Sequence, residues 1–164
     1  MDIAAIKKIK YCNASKRIPE SNKSVDLIYS CHMIEHLDQE ETSKFFNECN
    51  RVLKPGGIVR VVVPDFDKLV NSYKQNHDVD RFIHDSLLVG KKPKTIIKKL
   101  QYLLQGHEWH HQYFTKDSLV NKIKSHGFSE IKLFEAGKSD IPYENGINYF
   151  DFSERSIYCE FRKK

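Results

Sequence analysis

The 164-residue chain has no glycine before Gly56, a single tryptophan, and four cysteines scattered at Cys12, Cys31, Cys49 and Cys159. The glycine gap excludes, from the first third of the chain, the glycine-rich turn that lets a backbone approach a cofactor closely. The cysteines form no CxxC pair and no framework spacing, so they read as free thiols of a reducing compartment, and a cytoplasmic protein is expected. No apolar run is long enough to cross a bilayer and no apolar leader opens the chain, so no membrane span is expected. There is no internal repeat and no low-complexity linker. A single domain over 1–164 is the expectation.

Hydrophobic residues make up 40% of the sequence and charged residues 30%, a composition that supports a modest core. The net charge of +5 fits a lysine-rich solvated surface, and it also fits an acidic ligand or a membrane surface. The one dense basic run, Lys91 to Leu100, lacks aromatic and glycine interleaving, so no nucleic-acid partner is expected.

Order is most legible from Val25 to Asp65. Val25–Ser30 reads as a short apolar strand. Asp38 then reads as an N-cap, with Glu41 three residues on to close a capping box. Phe45, Phe46, Cys49, Val52 and Leu53 fall on one helical face, and Lys44, Asn47, Glu48 and Arg51 on the other. Pro55-Gly56-Gly57 should end that helix and turn the chain into Ile58–Val63, an apolar strand interrupted only by Arg60. This is a βαβ crossover. Such a unit sets the loop after its first strand at the carboxyl end of a parallel sheet, where ligands of open α/β sheets bind.

Residues 66–106 read as a mostly helical insert. The polar, aromatic loop GHEWHHQYF follows, and Thr115 caps a further helix bearing Leu119, Val120 and Ile123 inward. Gly127 should terminate it in a left-handed conformation, with Phe128 making the accompanying apolar contact. Glu130–Ala136 alternates as a strand. Ser156–Arg162 alternates again, with Ile157, Cys159 and Phe161 on one face.

The loops carry the titratable groups. His32, Glu35 and His36 match the letters HxxEH, and His107 to His111 match HExxH. Both zinc patterns require a helix that presents the histidines on one face. Each lies in a segment read as loop, just ahead of a capped helix, and neither has a third ligand placed by motif. No metal ligand is therefore assigned, and a zinc hydrolase using HEWHH is only a remote alternative. Glu35 and His36 either contact substrate or brace the following helix. His110 and His111, with Tyr113 beside them, either face a substrate as proton acceptors or belong to an exposed polar loop. Asp65, at the end of a strand, is a base or a helix cap.

SCHMIEHL, then a helix ending in RVLKPGG, then IVRVVVPD, and later a helix ending in HGF before a strand, together resemble a class I S-adenosylmethionine-dependent methyltransferase of the type 11-like subgroup with an EHL loop. The resemblance spans nearly the whole chain. It implies an α/β, Rossmann-like fold whose mixed sheet carries an antiparallel C-terminal strand. It implies S-adenosylmethionine as cofactor and methyl transfer to a small-molecule or glycan acceptor. Asp2 would hold the cofactor ribose hydroxyls, as a carboxylate can accept from two neighbouring hydroxyls. Ile9–Asn13 would be a strand, with Asn13 and Ala14 at the adenine. Ser30, Cys31 and His32 would line the methyl end, where His32, Asp65, His110 and His111 are the catalytic candidates. Glu35, His36 and Tyr113 would contact substrate.

This sequence departs from the family pattern in lacking the first strand and its glycine-rich cofactor loop, so a fold truncated at the N-terminus is expected. The loss fits a naturally shortened protein, a decayed relative acting as a binding or regulatory partner, or a chain completed by a partner subunit. The edge of Val25–Ser30 should then be covered by Ile9–Asn13, by a homo-oligomer or by another chain.

Overall fold

The computed structural model describes residues 12–87, 109–141 and 153–164. The features expected of Asp2, of Ile9 to Tyr11, of His107 and of the insert beyond residue 87 lie outside them.

The βαβ unit forms as the pattern predicts. β1 (Val25–Cys31) leads through a short 3-10 turn (Ile34–His36) to α1 (Gln39–Val52) and then β2 (Leu53–Pro64). Asp38 caps α1 in a full capping box: its side chain accepts from the Glu41 backbone at 2.8 Å, and the Glu41 carboxylate accepts from the Asp38 backbone at 3.1 Å. After α2 (Phe66–Asn76), α3 (Val79–Ser86) and α4 (Lys116–Ser125), the chain closes with β3 (Phe128–Phe134) and β4 (Ser156–Lys163). β3 starts two residues earlier than the alternation suggested, because Gly127 (φ +82°) ends the helical segment and Phe128 enters the ladder opposite Lys163.

The described strands form one mixed sheet in the order β1-β2-β4-β3. β1 and β2 are parallel, and β4 runs antiparallel to both β2 and β3. β1 is the outermost strand of this sheet. Pro55-Gly56-Gly57 does not separate helix from strand as expected. β2 already begins at Leu53, which pairs with Val25, and the ladder resumes only at Leu27 and Ile58. The three residues form an irregular bulge inside β2. Gly56 supplies its left-handed turn (φ +77°), and Arg162 Nη1 donates to the Gly56 carbonyl at 2.8 Å.

The core lies between one face of the sheet and helices α1 and α4. Phe45, Phe46 and Cys49 of α1 and Leu119 and Ile123 of α4 bury against Val59, Val61, Val63, Ile157, Cys159 and Phe161. Phe46 links the layers, with its ring 6.1 Å from Phe161 and 6.3 Å from Phe128. Burial suppresses thiol ionisation here, and Cys159 is pushed up to about 12. The face of α1 assigned to solvent is only partly wet. Arg51 binds the Glu48 carboxylate through Nε and Nη2, both at 2.7 Å, and also reaches the carbonyls of Ile18 and Glu20. That clamp straps residues 18–22 to the helix. Its reach to residues 18–22 is not legible in the sequence, because Ile18 and Glu20 lie about thirty positions from Arg51.

Candidate functional site

β1 and β2 end side by side, and the catalytic candidates gather there. His32 directly follows β1. Its backbone N–H continues the ladder to the Val62 carbonyl at 2.9 Å, while its φ of +48° turns the chain sharply out of the sheet. A non-glycine residue in that conformation is strained and persists only where its surroundings hold it. Here the holders are Glu35, whose Oε1 lies 3.1 Å from His32 Nδ1, and Ser156 of β4, whose Oγ lies 3.5 Å from Nε2. The His32 side chain remains 41% exposed.

Asp65 ends β2. It is buried, and its carboxylate accepts from the backbone N–H of Asp67 (3.0 Å) and of Lys68 (3.4 Å), so it caps α2. Of the two roles the sequence left open, the cap is realised in the hydrogen bonds.

The loop from Trp109 to Phe114 bonds to the segments that follow these two strands. Its attachment is extensive. The Glu35 carbonyl accepts from the backbones of His111 (2.8 Å) and Gln112 (3.1 Å), and the Phe114 carbonyl accepts from the Phe66 backbone at 3.0 Å. Gln112 is the strut: its amide donates to the Leu37 carbonyl and to Thr42 Oγ1, both at 2.6 Å, and its carbonyl accepts from Lys122 at 3.1 Å. No sequence pattern distinguishes Gln112, since all its partners are distant in the chain. The loop is therefore braced against the 3-10 turn and α1, and only His111 within it is exposed.

His110 sits inside this arrangement. Its ring is 5.0 Å from that of His36 and 5.7 Å from that of Tyr113. Burial lowers its pKa from the ordinary histidine value. The Glu35 charge opposes that shift, the His36 and His32 charges reinforce it, and a hydrogen bond to the Ser86 backbone opposes it. The Tyr113 hydroxyl donates to the Ser86 carbonyl at 2.5 Å, and burial raises its pKa. Asp65, Phe66, His110 and Tyr113 line a cleft of about 90 Å³, with Asp85 and Arg155 at its rim. The sequence reading did not anticipate Ser86, Ser156 or Gln112 at the site.

His36 donates from Nδ1 to the Trp109 carbonyl at 3.1 Å. Glu35 is buried, and its Oε2 has no hydrogen-bond partner among the described residues. One donor atom each from Glu35, His36 and His110 lies within 4.8 Å of the others. Of the two zinc-like letter patterns, the first runs into the 3-10 turn, and the described part of the second, Trp109–His111, is loop. The Glu-His of the first meets His110 of the second.

Of the residues expected at the cofactor, Ser30 is buried near the end of β1, and its Oγ has no partner among the described residues. Cys31 beside it is half-buried, and Ala14 packs against the core. Asn13 is exposed, and its Oδ1 accepts from both the backbone (3.0 Å) and the hydroxyl (2.7 Å) of Ser15. Among the described residues, no helix is long and apolar enough to cross a membrane.

Residues 4–61 match the family model described as a methyltransferase domain. No curated protein matches the chain. Among solved structures, the chain is similar to an S-adenosylmethionine-dependent methyltransferase of Methanosarcina mazei, with 19% identity, a TM-score of 0.56, and coverage of 94% of this chain and 66% of that one. It is also similar to one from Thermotoga maritima, with 18% identity, a TM-score of 0.54, and coverage of 93% and 62%. A third, from Mesorhizobium loti, gives 15% identity, a TM-score of 0.51, and coverage of 93% and 67%. The chain spans less than two thirds of the length of the first two. With its mixed sheet and antiparallel last strand, the protein has the α/β, Rossmann-like fold of the class I S-adenosylmethionine-dependent methyltransferases, and its segment 4–61 matches their methyltransferase-domain family.

Proposed function

We propose that this protein transfers a methyl group from S-adenosylmethionine to a hydroxyl of a small-molecule or glycan acceptor. The observation that carries this reading is that Asp65 and His110 line one cleft near the carboxyl ends of β1 and β2, where His32 follows β1, in a fold shared with S-adenosylmethionine-dependent methyltransferases.

The residues at the end of β1 fit the cofactor. The unpartnered Ser30 hydroxyl is a buried donor that costs stability unless a ligand takes its hydrogen bond. Ser30, Cys31 and His32 would hold the methionine end, and Asn13, Ala14 and Asp2 the nucleoside. When bound, the cofactor supplies a methyl group on a positively charged sulfur that is already a good leaving group. The protein's task is then alignment and exclusion of water. His110 suits the role of proton acceptor: burial favours its neutral form, which has a lone pair for the acceptor hydroxyl. Tyr113, tied to Ser86, supports one wall of the acceptor cleft. His32 and His111 are the remaining bases within the same loops, and Glu35 and His36 anchor them. A partner chain, or the Ile9–Asn13 segment, pairing with the outer edge of β1 belongs to the same reading, because a bare strand edge invites association.

Calorimetric titration of the chain with S-adenosylhomocysteine tests the proposal. Saturable binding with a micromolar Kd is the expected result. No heat of binding at millimolar ligand overturns it.

A further inference from the structure

We propose that Glu35, His36 and His110 form a binding site for a divalent first-row transition-metal ion, with a coordination position left open toward the acceptor cleft.

The first observation is convergence. One donor atom from each residue lies within 4.8 Å of the others, although His110 is more than seventy positions from Glu35 and His36. The backbone hydrogen bonds from His111 and Gln112 to the Glu35 carbonyl hold the two segments in this arrangement.

The second observation concerns two atoms that nothing satisfies. Glu35 Oε2 and His110 Nδ1 are both buried with no hydrogen-bond partner among the described residues. A buried polar atom left in that state costs stability, and more when charged. A cation between them would satisfy both at once. A single shared proton between carboxylate and imidazole would leave His36 uninvolved.

The third observation is that the rest of the His36 and Glu35 side chains is already held as ligands are held. His36 donates Nδ1–H to the Trp109 carbonyl, which leaves Nε2 with its lone pair. The second Glu35 oxygen takes the His32 Nδ1 contact at 3.1 Å. Metal-binding histidines almost always donate their other ring N–H to a carbonyl or carboxylate, which fixes tautomer and orientation.

The donor set selects the ion. Two imidazoles and one carboxylate suit zinc, iron(II) or cobalt(II), whereas magnesium and calcium prefer all-oxygen shells. At metal–ligand distances of about 2.1 Å, tetrahedral donors sit about 3.4 Å apart, so the ligands must close by up to about 1.4 Å through side-chain rotation. Three protein ligands leave a position for water or substrate. His110 also lines the cleft with Asp65 and Tyr113, so that position adjoins the cleft. An acceptor whose hydroxyl or vicinal diol binds the ion would be oriented there and made more acidic. With the ion bound, His110 is a ligand and His32 is the base left for the hydroxyl proton; this last role rests on the methyl-transfer reading, whereas the metal site does not.

The test is a titration of the metal-free chain with Co²⁺, read by visible absorption, followed by displacement with Zn²⁺. The expected result is one equivalent per chain with the intense bands of a four- or five-coordinate ion, and protection of the fold by Zn²⁺. Glu35→Gln, His36→Gln and His110→Gln should each weaken binding by about a hundredfold, and His32→Gln by about tenfold through Glu35. Far-UV circular dichroism of each variant confirms its fold, and the three ligand variants report the same site independently. Absence of a saturable equivalent overturns the proposal. So does affinity unchanged in the folded variants, which would put the ion elsewhere, or a preference for Mg²⁺ over Co²⁺. Cobalt binding is independent of S-adenosylhomocysteine binding, so failure of one reading is distinguishable from failure of the other.

Discussion

Removal of the Glu160 carboxylate should be among the most damaging single changes to this fold. Arg60 and Glu160 face each other across β2 and β4, with Nη1 and Oε1 2.6 Å apart. The Arg60 side chain is 0% exposed and that of Glu160 6%. Glu160 also accepts from Ser139 Oγ at 2.5 Å and from the Asp140 backbone at 3.2 Å, which ties the segment after β3 to the sheet. Glu160→Ala removes the carboxylate that pairs with the buried guanidinium and frees that segment. Breaking such a pair from one side costs about 3–5 kcal/mol, a large part of the roughly 5–15 kcal/mol that a domain has in total. For a chain of this size that is a fall of roughly 6–20 °C in Tm. The double variant Arg60→Met with Glu160→Leu removes both charges and keeps volume, so it should recover most of the loss. Urea denaturation of wild type, Arg60→Met, Glu160→Leu and the double variant measures the cycle, with Glu160→Ala alongside. A cost below about 1 kcal/mol for Glu160→Ala, or a double variant no more stable than that single one, would refute the assignment of this pair as buried and interdependent.

Two further predictions concern the β2 bulge and the α1 clamp. At Gly57 an added Cβ would stand 2.9 Å from the Lys54 carbonyl oxygen, 3.0 Å from Leu53 Cδ2 and 3.3 Å from the Asp26 carbonyl, so Gly57→Ala should cost about 1–3 kcal/mol by urea denaturation. Hydrogen bonding from Arg51 is the largest cause holding the Glu48 carboxyl below its ordinary value. A depressed carboxylate stabilises the fold fully above its unfolded pKa and loses that contribution as pH falls through the lower, folded value. Glu48→Gln should therefore flatten the stability profile below about pH 4.5, seen as a smaller difference in Tm between neutral and acid pH. An unchanged acid limb would show that the clamp is not coupled to folding.

What the sequence determined by itself is the local grammar. The α1 capping box, the Thr115 cap, the Gly127 stop, the parallel βαβ unit and the inward face of β4 were all readable, because each depends on residues a few positions apart. The fold class followed, since the spacing of these elements is itself a family pattern. The Pro-Gly-Gly bulge was misread as a boundary because the pairing of Val25 with Leu53 is a property of two strands, not of one segment. Only the tertiary structure decided which titratable residues lie together. Asp65 is a helix cap because α2 begins where it does. Glu35, His36 and His110 became one cluster because Gln112 and the Glu35 carbonyl dock a loop more than seventy residues away onto a 3-10 turn. Hydrogen bonds and burial between distant segments carry no periodicity, so no spacing along the chain could announce them.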